Sequence, residues 1–94
     1  MYARVATFEN DPAELDAGIA SIRETLESGN LPPALAAATF LLLVDRESGK
    51  SIGVALFDSE EALRAGDEAM NAGPGAAGRR SSVEFYEVPV HTLS

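Results

Sequence analysis

A few side chains in this sequence carry groups that could hold a small molecule or move a proton. Histidine titrates near neutral pH without help from its surroundings, so the single histidine, His91, is the default general base. Arg4 lies among apolar neighbours, where a charge is unexpected, and could anchor an anion or oxyanion. Tyr2 and Tyr86 could donate hydrogen bonds to a small molecule, and Asn71 could face the cavity that holds it. The predicted catalytic residues are Arg4, Tyr86, Asn71 and His91.

These residues also have structural interpretations, which the sequence leaves open. Arg4 could form a salt bridge at a strand end with Glu84 or Glu87 of the last strand. Tyr86 could pack its ring against the protein and leave its hydroxyl in water. His91 has no partner motif and lies near the end of the sequence, where it could be exposed or contact a second copy.

The sequence gives little support for a metal site or a phosphate site. The sequence has no cysteine and one histidine, which leaves only carboxylates as ligands, so we predict no metal and no cofactor. The segment GPGAAGRR (73–80) has the glycines and arginines of an anion cradle, but it lacks the Walker pattern and precedes a strand. We expect a mobile loop there, with a lid over a cavity as the alternative. Asn71, just before it, could instead cap the end of its helix.

Composition limits the class of protein and its partners. Ninety-four residues predict a single domain, 1–94. The net charge of −8 and the scattered basic residues argue against nucleic acid. No signal-peptide pattern precedes the first strand, and the longest apolar run, LPPALAAATFLLLV, is too short to cross a bilayer. We therefore expect a cytoplasmic protein with no nucleic-acid or membrane partner.

The elements that must position these side chains follow the order β-α-β-β-α-β. Residues 1–8 predict a strand, and Asp11-Pro12 begins a helix whose apolar face ends at Leu26. A hairpin follows at 39–57, with its turn at 47–50. Asp58 is expected to cap a second helix that runs to about 72, and 81–91 form a last strand, with Pro89 at an edge or a bulge.

This order predicts a ferredoxin-like fold, which is α+β. Right-handed crossovers would place strands one and three in the centre of a four-stranded antiparallel sheet, with both helices on one face. The segment 34–38 favours either a short helical turn or the start of the second strand.

The hairpin is apolar on both sides, which one layer of helices does not explain. We expect one side to hold Phe40, Leu42, Val44, Ile52, Val54 and Leu56, and the other Leu41, Leu43, Ala55 and Phe57. Exposing three such side chains would forgo roughly 5–9 kcal/mol, so something must cover them. A homodimer that packs sheet against sheet by a two-fold axis is the economical prediction. The alternative is that 34–38 or the C-terminal tail folds across this face.

Two segments resemble a known family. VALFDSEEALRAGDEAMN (54–71) and SSVEFYEVPV (81–90) are similar to the antibiotic biosynthesis monooxygenase-type domain, and the element order agrees over the whole chain. The resemblance implies a dimeric α+β barrel with a substrate cavity between sheet and helices. It also implies cofactor-independent oxygenation of phenols and quinone-like compounds, or oxidative haem degradation. The absence of tryptophan and the position of His91 argue against the haem-degrading branch.

Two functions from different classes are consistent with these observations. The first is a cofactor-independent monooxygenase acting on an aromatic or quinone-like small molecule, with Arg4, Tyr86, Asn71 and His91 orienting it. The second is a non-catalytic homodimeric module that binds a small molecule or acts in a stress response.

Overall fold

The residues that the computed structural model describes, 1–72 and 79–93, form a four-stranded antiparallel sheet with helices against one face. Its elements are β1 (Tyr2–Glu9), a 3-10 turn (Pro12–Glu14), α1 (Leu15–Ser28), α2 (Pro33–Ala36), β2 (Thr39–Val44), β3 (Lys50–Phe57), α3 (Glu60–Ala72) and β4 (Arg79–Glu87). The strand order is β2-β3-β1-β4. The predicted ferredoxin-like fold, with the first and third strands in the centre, is confirmed. Most of the predicted loop or lid at 73–80 lies outside the described residues.

Helix α1 ends at the expected residue, but the predicted start at Asp11-Pro12 is a 3-10 turn, and α1 itself begins at Leu15 without a side-chain cap. Asp11 Oδ1 accepts a hydrogen bond from the Ala13 amide at 3.0 Å, and Pro12 opens the first turn. Gly29 ends the helix with φ 72°, a conformation that glycine adopts without strain. Leu15 is buried, whereas Leu26, the last residue of the predicted apolar face, is 39% exposed.

The start of α3 corrects one prediction. The cap is Ser59 and not Asp58, because the Ser59 hydroxyl accepts from the Ala62 amide at 3.1 Å. Both residue types cap helices well, and the helix begins one residue later than the sequence indicated. Glu60 and Glu61 then occupy the first turn, where their negative charges interact favourably with the positive end of the helix dipole.

The turn of the β2–β3 hairpin corrects a second prediction. It is centred on 46–49 instead of 47–50, since the Asp45 amide donates to the Lys50 carbonyl at 2.8 Å and the Gly49 amide donates to the Asp45 carbonyl at 2.9 Å. Gly49 has φ 85°, and a Cβ there would overlap the carbonyl of Asn10. The turn therefore requires glycine for two reasons.

That turn fixes which residues share a face. Val44 pairs with Ser51, so even-numbered residues of β2 lie opposite odd-numbered residues of β3. The predicted grouping, which placed Phe40 with Val54, was wrong. The helix face of the sheet holds Arg4, Ala6, Phe40, Leu42, Ala55, Phe57 and Phe85. The open face holds Ala3, Val5, Leu41, Leu43, Ile52, Val54, Leu56 and Tyr86.

The helices pack on the helix face. Leu35 of α2 and Leu63 of α3 form a buried cluster with Ala55 and Phe57 of β3. Helix α2 therefore belongs to the helix layer, and the alternative in which 34–38 crosses the open face is wrong. At the other end of the chain, the predicted last strand ends early, at Glu87, and Pro89 lies beyond it. Just beyond the strand, the Val88 amide donates to the Met1 carbonyl at 2.8 Å.

Gly66→Ala tests how closely α3 approaches the sheet. A Cβ at Gly66 would overlap the ring of Phe57, and overpacking of this kind costs about 1–3 kcal/mol. We expect a loss of that size in the free energy of unfolding measured with urea. Gly53→Ala is the matched control, because nothing lies within 4 Å of its added Cβ. A Gly66→Ala protein as stable as the Gly53→Ala protein would contradict the packing described.

Candidate functional site

Arg4 is a buried charge on the helix face of β1. Its side chain is 6% exposed, and its Nε donates to Oδ1 of Asp67 on α3 at 2.8 Å. Neither Glu84 nor Glu87 is its partner, so the predicted strand-end salt bridge was wrong. Glu84 pairs with Val5 in the sheet and therefore lies on the open face, away from Arg4. The partner comes from the packed helix, which spacing within the strands does not reveal.

The other contacts of the Arg4 guanidinium also go to α3. One terminal nitrogen donates to the Met70 sulfur at 2.9 Å, and the other donates to Oδ1 of Asn71 at 3.4 Å. A thioether is a weak acceptor and 3.4 Å is a long hydrogen bond, so Asp67 provides the main stabilisation. These contacts join β1 to the last two turns of α3, which makes Arg4 first of all a structural residue.

Asn71 connects that cluster to the beginning of β4. Its Oδ1 accepts from Arg80 at 2.8 Å as well as from Arg4. Two of the predicted catalytic residues, Arg4 and Asn71, are therefore brought together. Asn71 is exposed, and the two guanidinium groups share one neutral amide oxygen.

Tyr86 lies on the opposite side of the sheet from Arg4. It pairs with Ala3 and so belongs to the open face, where its hydroxyl donates to Oε2 of Glu84 at 2.8 Å. That hydrogen bond, together with desolvation and the charge of Glu84, raises the pKa of Tyr86 above its usual value of 10.0. A raised pKa makes the phenolate harder to form, which suits a hydrogen-bond donor better than a base.

His91 follows β4 in the segment 88–93, which has no helix or strand. It is exposed, and among the described residues its side chain makes neither a hydrogen bond nor an ion pair. The four predicted catalytic residues therefore do not converge: Arg4 and Asn71 meet on the helix side, Tyr86 faces the other way, and His91 lies on the terminal segment.

Two cavities in the described part of the chain differ in size, and Arg4 lines neither. The first, between α1 and the sheet, encloses about 20 Å³, which holds about one water. The second is a groove of about 220 Å³ between α3 and the edge strand β4. We name it the edge groove, and it is lined by Tyr2, Glu60, Leu63, Phe85, Tyr86 and Glu87.

Of the residues that line the edge groove, the sequence pointed only to the two tyrosines. Phe85 and Glu87 alternate along β4, and Tyr2 pairs with Glu87 across the sheet. The alternation was visible in the sequence, but the β1–β4 register was needed to place Tyr2 beside it. Glu60 lies in the first turn of α3, and nothing in the sequence shows which turn of that helix faces β4.

The described residues contain neither a metal-binding cluster nor a membrane-spanning helix. Within 1–72 and 79–93, no group of three or more histidine or carboxylate residues is placed to hold a metal ion. None of the helices in that part of the chain combines the length and apolar content needed to cross a membrane.

Comparison with known proteins identifies relatives of unknown function. Uncharacterized protein Rv2558 of Mycobacterium tuberculosis strain H37Rv and Uncharacterized protein MT2635 of strain CDC 1551 are each 38% identical to this chain over 72 residues. The match covers 72% of this chain and 28% of each relative, so the chain spans little more than a quarter of their length. No protein-family model matches the chain.

Asp67→Ala tests the structural role of Arg4. It leaves a buried guanidinium without a carboxylate, which costs 3–5 kcal/mol in fully buried pairs. Because the Asp67 side chain is 24% exposed, we expect a smaller loss of about 2–3 kcal/mol in the free energy of unfolding.

Asp16→Ala is the matched control for that variant. Asp16 contacts Arg46 at 2.7 Å, but both side chains are well exposed, so little stability should be lost. Equal effects of Asp67→Ala and Asp16→Ala in urea denaturation would show that the Arg4–Asp67 contact is no stronger than a surface ion pair.

Proposed function

We propose that the chain acts as a homodimer, packed open face to open face, that binds a small molecule without chemically converting it. The observation that carries the proposal is the apolar open face on a sheet whose helices all lie on the other side. Leu41 and Leu43 are 44% and 52% exposed on it. A second copy of the same face covers both leucines and gives a closed two-fold assembly.

The energetics require most of the face to take part. Burying a whole leucine contributes about 1.5–3 kcal/mol, so covering the exposed half of Leu41 and Leu43 in two copies contributes roughly 4 kcal/mol. Association costs about 4–15 kcal/mol in lost motion. The proposed interface therefore also includes Ile52 and Val54, which are partly buried in the monomer, and Tyr86, which is 49% exposed.

The intramolecular alternatives offer no cover for the β2 edge of this face. Leu35 of α2 packs with the core on the helix side. In the C-terminal segment, Val90 is 83% exposed and therefore buries little surface, and Leu93 is 45% exposed. The centre of the open face is better shielded, since Ala3 and Leu56 are buried. The β2 edge is where a partner would gain most.

The resemblance to the antibiotic biosynthesis monooxygenase-type domain supports the assembly that we propose, because that family's dimers pack sheet to sheet. The fold agrees with it in strand order and in the single layer of helices. The 38% identity to part of longer proteins supports the view that this unit works as a module.

Binding without turnover is favoured by the scatter of the predicted catalytic residues. The charge of Arg4 is paired with Asp67, and Tyr86 lies on the other face. The edge groove, at about 220 Å³, is smaller than the roughly 300–1,000 Å³ of typical ligand pockets. A small ligand fits it better than a polycyclic substrate.

A monooxygenase is the second candidate, and one observation favours it: Arg4 and Asn71 meet, as a substrate-orienting pair would. Dioxygen uptake with anthrone separates the two functions. We expect the protein to leave the uptake rate at its protein-free value. An acceleration that is lost in Asn71→Ala and kept in Asn30→Ala, an exposed asparagine just after α1, would contradict binding without turnover and support the oxygenase.

Leu41→Glu and Leu43→Glu test the dimer. A buried, unpaired carboxylate at a sheet-to-sheet interface is costly, so each variant should sediment as a monomer at micromolar concentration where the unchanged chain sediments as a dimer. Leu26→Glu is the control: Leu26 is 39% exposed on α1, on the helix side, and should leave the dimer intact. A monomeric unchanged chain, or dimers in all three variants, would refute the interface.

A further inference from the structure

We propose that the edge groove binds a small organic cation, of the alkylammonium or quaternary ammonium class. Two walls form the groove. Glu60 and Leu63 come from the first turns of α3, and Tyr2, Phe85 and Glu87 come from β1 and the edge strand β4. The three strand residues lie on the helix face, because Tyr2 pairs with Glu87 and Arg4 pairs with Phe85. The inference deepens the proposed function by naming the class of its ligand.

The charge of the lining selects a cation. Two carboxylates, Glu60 and Glu87, line the groove, and no lysine, arginine or histidine does. Glu60 forms an exposed ion pair with Arg64, in which its Oε1 lies 3.0 Å from a guanidinium nitrogen. Glu87 takes part in no ion pair among the described residues. The whole chain carries a net charge of −8, which also attracts cations. An anionic ligand would meet repulsion here, and a cation would meet complementary charge.

The aromatic side chains select an organic cation over a hydrated metal ion. Phe85 is 50% exposed although it lies on the helix face, so much of its ring surface is open to a ligand. The face of an aromatic ring attracts a cation within about 6 Å, and the attraction is stronger for groups that shed water readily, such as alkylated ammonium ions. Leu63, which is 4% exposed, provides an apolar floor for methyl groups.

The size and position of the groove limit the range of ligands further. A volume of about 220 Å³ suits a compact cation instead of a drug-sized molecule. The groove lies at the β4 edge, and Leu41 and Leu43 lie on β2, at the opposite edge of the sheet. Tyr86 lines the groove and also belongs to the proposed dimer interface, but the other five lining residues do not. The groove is therefore formed within one subunit and is mostly separate from that interface.

The test uses choline and its neutral isostere, 3,3-dimethylbutan-1-ol, followed by amide chemical shifts in a ¹H–¹⁵N NMR titration. We expect choline to shift the amides around residues 60–63 and 85–87, and to bind about tenfold more tightly than the alcohol, because only choline gains the carboxylate and ring interactions. Equal affinities for both compounds, or no shifts with millimolar choline, would overturn the proposal.

Two charge-matched variants separate a site from general electrostatic attraction. Glu87→Gln removes a groove carboxylate and keeps its shape, and we expect choline binding to weaken about three- to tenfold. Glu68→Gln removes the same charge from an exposed position on α3 that does not line the groove, and should leave the affinity unchanged. Equal weakening in both variants would overturn the site.

The same titration on the Leu41→Glu protein distinguishes this inference from the dimer. We expect choline to bind with unchanged affinity, because the groove lies within one subunit. An intact dimer without choline binding refutes the cation site alone. Choline binding in an unchanged chain that is monomeric supports the cation site and refutes only the proposed assembly.

Discussion

The cross-strand register of the β2–β3 hairpin is the constraint on which the rest of the structure depends. Because the side chains of a strand alternate with a period of two, the turn at 46–49 decides which hydrophobic residues meet the helices. It places Phe40 and Leu42 on the helix face, and Leu41 and Leu43 on the open face. A shift of one residue in this turn would exchange the two sets. The core and the proposed dimer interface are thus set by the same few hydrogen bonds.

On the helix side, the buried Arg4–Asp67 pair fixes the position of α3 against β1. Leu63 of α3 packs on Phe57 of the sheet through apolar contacts, which have no preferred direction. The pair adds a directional contact at 2.8 Å between one residue of β1 and one of α3. A guanidinium so enclosed cannot readily turn towards a ligand. The residue with the most conspicuous chemical signature in the sequence is explained by packing, and the aromatic and acidic edge groove is the better candidate for binding.

Sequence patterns predicted the order of the elements well because they depend on local chemistry. The caps at Asp11 and Gly29 and the alternation in the strands are properties of neighbouring residues. The turn register, the cap at Ser59 and the partner of Arg4 were predicted wrongly. Each of these depends on a choice between two nearly equal local options, or on a helix that is 63 residues away in the chain. The edge groove escaped prediction for the same reason, since it unites residues from three elements. Dimerisation was predicted from the apolar pattern alone, and it stays a prediction.

The account depends most on the claim that a second copy covers the open face. The most direct measurement is an isotope-filtered NOE experiment on a mixture of methyl-labelled and unlabelled chains. The account predicts intermolecular cross-peaks from the methyl groups of Leu41, Leu43, Ile52 and Val54. Their absence, or intermolecular cross-peaks confined to the helices α1 and α3, would contradict it.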